Sequence, residues 1–196
     1  MAEYTPSRRH SRPLVFTVLT FVSILLVSHT PITLADQHAP ELPGLFEELA
    51  HNDDISRAQQ IEQSVWGHWL TGPDKTSDIL MVQIQGALQQ GRPQVGLVLC
   101  NQLIDQYPEY AEAWNKRATF YYLMNRLDES VQDIQTTLTL EPNHFGALSG
   151  LGLILMRTGD AEGALAAFEA VLEINPMSLS AQQNAAQARD QLGTDI

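Results

Sequence analysis

The chain has 196 residues, enough for one domain of ordinary size, with 44% hydrophobic and 17% charged residues and no low-complexity tract to suggest disorder. Its formal net charge is −12, and setting aside residues 1–35, which hold Arg8, Arg9, Arg12 and Glu3, leaves 8 basic against 22 acidic residues, a net −14. A body so acidic repels nucleic-acid phosphates and anionic lipid, which excludes both as main partners.

Residues 1–35 read as a targeting segment. Residues 7–12 (SRRHSR) are basic, 14–27 (LVFTVLTFVSILLV) are uncharged and apolar, and 31–35 (PITLA) end in a small-residue site at Ala35. Basic, apolar and small-residue regions in that order describe a secretory signal peptide, cut between Ala35 and Asp36. Two variants stay open. An uncleaved inner-membrane anchor over residues 14–34 would use the same basic flank, and Arg8-Arg9 admits the twin-arginine route beside the general one. Each version places the body outside the cytoplasm, periplasmic or secreted if cleaved. Residues 36–44 (DQHAPELPG) read as a polar, proline-bearing linker, with folding expected from about Leu45.

Self-similarity organises the remainder. Pro108, Pro142 and Pro176 are spaced 34 residues apart. The same step joins Gly91, Asn125 and Gly159, which suit tight turns, and Gly96, Ser130 and Ala164, all small. It also joins Leu80, Trp114 and Leu148, and Cys100, Ile134 and Phe168, all able to be buried. Within one period, residues 111–124 place Trp114, Ala118, Tyr121 and Tyr122 at helical spacing, with Tyr121 read as turning inward. Asn125-Arg126 is the turn, and 127–140 repeat the pattern with Leu127, Val131, Ile134 and Leu138. The small column predicts the closest approach of two antiparallel helices.

Ala111-Glu112-Ala113-Trp114-Asn115, the Gly159-Asp160 turn, residues 164–173 (ALAAFEAVLE) and Asn175-Pro176 resemble the tetratricopeptide repeat signature. The resemblance implies an all-α superhelical array of antiparallel helix pairs. Its three repeats would span 77–110, 111–144 and 145–178, closed by a capping helix and tail over 179–196. Residues 45–76 resemble a degenerate N-terminal pair and connecting loop, out of step by four residues, with Trp66 and Trp69 expected to seal the first repeat. Arg117 stands where an apolar residue is usual and Thr137 where alanine is, which predicts looser packing in the second repeat.

No catalytic, cofactor-binding or metal-binding set can be read from the sequence. Cys100 is the sole cysteine, which rules out an intramolecular disulfide, and it falls on a buried column. The six histidines form no HExxH and no paired ligand spacing, so His144 and the others are expected at the surface. The resemblance implies instead a concave groove lined by first helices. Carried over by position, its partner-binding residues are Gln85, Asn115, Lys116, Thr119, Tyr122, Ser149 and Met156, with Asp78, Met81, Leu88, Glu112 and Leu153 beside them. Met81 and Gln85 occupy places where a chaperone-tail clamp would carry Lys and Asn, which argues against that specialisation. The expected partner is a protein or peptide. The alternatives are a structural assembly, including a homo-oligomer through the Trp66/Trp69 end, and an unrecognised enzyme or small-molecule binder.

Overall fold

A computed structural model describes residues 36–193; the proposed leader, residues 1–35, lies outside the described residues. Among the described residues all regular structure is helical: a 3-10 turn at Asp36–His38 and nine α-helices. These are α1 (Leu42–His51), α2 (Ile55–Leu70), α3 (Lys75–Gln89), α4 (Pro93–Gln106) and α5 (Ala111–Leu123), then α6 (Leu127–Leu140), α7 (Phe145–Thr158), α8 (Ala161–Ile174) and α9 (Leu179–Leu192).

Local chemistry sets the helix ends. Asp74 starts α3 by accepting from Thr76 N and Ser77 N, while Ser77 Oγ accepts from Asp74 N, a reciprocal capping box. Asp160 and Ser178 cap α8 and α9 one way, each side chain accepting from the backbone at Gly163 N and Ala181 N. Pro93 opens α4, where its missing N–H costs nothing. Gly91, Asn125 and Gly159 turn the chain within each pair, at φ of 61°, 61° and 86°, the left-handed conformation that glycine and asparagine tolerate best.

α3–α4, α5–α6 and α7–α8 are the three pairs; each second helix packs on the next first helix, and α9 closes against α8. The small column lies at helix crossings, as the period predicted. A side chain on Gly96 would overlap the Phe120 ring, Ser130 Oγ donates to Ala118 O at 2.7 Å, and Ala164 is wholly buried beside Phe168 and Ala185. Gly152 serves the same end within α7, where a Cβ would meet Phe168 at 2.5 Å. The inward aromatic of α5 is Phe120, not Tyr121, whose ring lies between the Arg117 and Arg126 guanidinium groups. Arg117 does not loosen the second repeat: its Nε and Nη2 bind both oxygens of Asp133 at 2.7 Å and its Nη1 donates to Asn101.

The N-terminal pair departs from expectation in its position. α2 touches α5, and α1 touches α8. The pair lies across the joints where one repeat passes to the next. Tyr110 OH, at the first joint, donates to Trp69 O at 2.9 Å. Gln37 receives Ala111 N at 2.8 Å and donates to Glu109 O at 3.0 Å, so residues 36–44 form part of the fold instead of a free linker. At the third joint Asn175 Nδ2 donates to Glu62 Oε1 at 2.7 Å. Trp66 and Trp69 therefore seal the second joint: Trp69 stacks on His144 with centroids 4.0 Å apart, and both indoles contact Phe145. Flat aromatic partners stand at His144 and Phe145, whereas α3 turns out only Ile79 and Val82.

Candidate binding groove

The first helices α5 and α7 enclose a cavity of about 330 Å³. Ala118 and Tyr122 of α5 and Leu153 and Ile154 of α7 form its walls, and Ser130 and Ile134 of α6 its floor. Asn115, Thr119 and Ser149 place polar atoms among its lining. Glycines make the room. Gly150 would set a Cβ only 3.5 Å from Ile134, an ordinary contact, so any larger side chain there fills the space. At Gly146 a Cβ would meet Trp66 at 2.7 Å, so glycine lets the indole close that end of the cavity.

A second depression of similar size adjoins it, sharing Tyr122 and Leu153 and adding Met156, Arg157, Asn184, Gln187 and Gln191. Arg157 lies over the Tyr122 ring at 5.4 Å.

Of the residues expected in the groove, the structure brings Asn115, Thr119, Tyr122 and Ser149 together around the first cavity and puts Met156 in the second. Gln85 on α3 lines neither. Lys116 is turned away, its Nζ 2.6 Å from Glu112 Oε1 and 5.4 Å over the Trp66 ring. Asn115 is 7% exposed and already donates to Glu112 Oε2 at 2.8 Å. Thr119 and Ser149 hydroxyls bond back to Asn115 O and Phe145 O, leaving their lone pairs for a partner. Met81 is buried in the first-repeat core.

One constellation was missed. His144, expected at the surface, is fully buried. Its Nδ1 accepts from Ala147 N and caps α7, which leaves the ring proton on Nε2, 3.0 Å from Glu112 Oε2. Burial pushes the Glu112 carboxyl up, but the Lys116 charge and the His144 hydrogen bond outweigh it and hold the group at about 2. A carboxylate so placed is structural, covered by the N-terminal pair. The Asn143-His144 dipeptide before an apolar helix was the available signal, since a side-chain acceptor at that position caps. Cys100 is buried as its column predicted, and desolvation pushes its thiol up to about 12, so it stays protonated.

The tetratricopeptide repeat family model matches residues 82–139 and 124–178. A TPR repeat-containing protein of Rhizobium etli is 31% identical over 182 residues, covering 87% of this chain and 89% of that protein. The chain belongs to the tetratricopeptide repeat family. Solved structures agree on the fold of this TPR protein. The Sgt2 TPR domain of Aspergillus fumigatus superposes with a TM-score of 0.58 at 20% identity, over 61% of this chain and 81% of that one. The first TPR of Spaghetti (RPAP3), bound to an HSP90 peptide, gives 0.58 at 19% identity, over 60% and 94%. MamA gives 0.56 at 17% identity, over 78% and 84%.

Proposed function

We propose that this TPR protein is an exported, non-catalytic scaffold that holds a segment of another protein along α5, α7 and α9. The observation that carries the reading is the glycine-made cavity between α5 and α7, walled by apolar side chains with polar atoms at Asn115, Thr119 and Ser149. Such a site accepts one large apolar side chain and offers hydrogen bonds to the backbone flanking it. The adjoining depression supplies a guanidinium and three side-chain amides, which suit a carboxylate one or two residues along. The preferred ligand is thus an extended segment pairing an apolar anchor with an acidic residue. TPR relatives solved with HSP90 and HSP70 peptides support a peptide ligand as a class. The absence of Lys and Asn at Met81 and Gln85 argues that the ligand differs from those tails. Export rests on the basic, apolar and small-residue order of residues 1–35; mature protein beginning at Asp36 is the expected product.

Panning a displayed random-peptide library tests the groove reading. Selected peptides should carry the apolar–acidic pairing. Tyr122→Ala should weaken them by at least about 2 kcal/mol by calorimetry, and Gly150→Leu should block them by filling the cavity. Thermal melting should change little for either, because Tyr122 is only partly buried at the cavity wall and the cavity has room for a side chain at Gly150. Peptides that bind both variants as they bind the parent protein would sink the assignment.

A further inference from the structure

The array is closed at one end and open at the other. At the closed end α9 turns out Gln182, Gln183, Gln187 and Asp190 along its length, with Leu179 and Leu192 half-exposed at its two ends. At the open end the first repeat presents the face that its neighbours bury. Ile79 corresponds by the 34-residue step to Ala113 and Ala147. Those two are fully buried against the preceding repeat, in clusters with Leu103 and with Ile134 respectively, yet Ile79 is 60% exposed. Val82 on the same helix is 68% exposed. Gly86 corresponds to Phe120 and Ile154, the side chains that reach into the repeat before them. Here the reaching side chain is missing and a Cβ would touch only Gln90, at 3.9 Å, so the face is flat. The pair α1–α2, which could have covered it, is committed to the inter-repeat joints.

Charge decides what fits. Between Ile79 and Ile104 the single charged residue is Arg92, at the turn, although the body as a whole carries −14. We propose that this face docks on the same face of a second copy, forming a closed two-fold dimer through the α3–α4 end of the array. Two bodies of like charge meet most readily where neither presents charge, and the α3–α4 end satisfies that condition. The flat, apolar, uncharged composition matches homodimer interfaces, whereas a foreign partner steered to an acidic protein would find complementary charge to read. Because the face meets its own kind, the contact is isologous and the assembly stops at two. The dimer would leave the α5–α7 cavity of each copy free and double its valency.

The full-length chain is examined by sedimentation across a wide concentration series, beside two double variants, Ile79→Lys with Val82→Lys and Ile79→Glu with Val82→Glu. The parent should be dimeric. Each double variant alone should associate about a hundredfold more weakly or not at all, since facing like charges oppose docking. Both should melt like the parent, because the altered side chains are exposed. Mixing the two should restore a dimer, since only a face that meets its own kind brings Lys against Glu. A monomeric parent overturns the proposal. So does a dimer that both variants keep, or one that mixing fails to restore.

Discussion

The three repeats and the N-terminal pair are both built from short amphipathic helices, but they are held by different kinds of contact. In the repeats each helix packs on the next one in sequence, and the polar ties span no more than one repeat: Arg117 to Asp133, Ser130 to Ala118 and Glu112 to His144 lie 16, 12 and 32 residues apart. In the N-terminal pair the ties reach 41 residues from Trp69 to Tyr110, 74 from Gln37 to Ala111 and 113 from Glu62 to Asn175. The first arrangement is a chain of neighbour terms that can form anywhere and propagate. The second must wait until three joints stand side by side, because its surface does not exist before then. The array is therefore the frame, and the pair is a layer laid across it.

The largest expected effect breaks that layer alone. Trp69 is fully buried, stacked on His144 and packed against Phe46, Trp66 and Phe145. Trp69→Ala should cost about 3–5 kcal/mol, the range for deleting a large core aromatic. Limited proteolysis will then cut within residues 36–74 while the helices from α3 onward keep their amide protection. Uniform loss of protection across the chain would mean that array and layer fold as one unit.

A smaller effect tests the joint between them. Glu112 belongs to α5, yet its partner His144 lies under the Trp69 ring of the layer. Glu112→Gln keeps the shape but leaves Lys116 without its counter-charge, at a cost of about 2–3 kcal/mol near neutral pH. The sign with pH follows from the depressed carboxyl. Its contribution is fully present above the ordinary value of 4.5 and is lost as pH falls through the folded value of about 2. Melting temperatures of parent and variant should therefore converge between pH 4.5 and 2 and stay parallel above it. A gap that persists to the acid end would assign the loss to packing instead of charge.

The same division explains what could be read in advance. Period, turns and small crossings in the array are local or one-repeat properties, so Gly96, Ser130, Ala164 and the turn residues announce them. Four groove residues found their cavity for the same reason, since first-helix positions repeat. The placement of Trp66 and Trp69 was not legible, because their partners are chosen by shape across a distance that no periodicity encodes. His144 went wrong with them: a histidine at a joint looks exposed until something covers the joint. Arg117 looked like a flaw because its partner Asp133 sits on the facing helix, where a sequence column shows each residue singly.

The smallest effect lies wholly inside the array, at the turn of the second repeat. Asn125 holds φ at 61°, where the corresponding residues are Gly91 and Gly159. Left-handed backbone costs a residue with a Cβ about 1 kcal/mol, less for asparagine, whose short polar side chain bonds locally. Asn125→Ala should therefore lower stability by about 1 kcal/mol. Asn125→Gly should stay within about 0.5 kcal/mol of the parent, because relief of the left-handed strain is offset by the freer unfolded chain. Both substitutions are exposed and touch nothing across a joint, so in a Trp114→Phe background, where Trp66 and Trp69 are the remaining emitters, the emission should not move before the global transition. A variant at this turn that altered that emission at temperatures where the helices remain intact would show the layer responding to the array at a distance. The neighbour-by-neighbour picture of the repeats would then have to give way to one cooperative body.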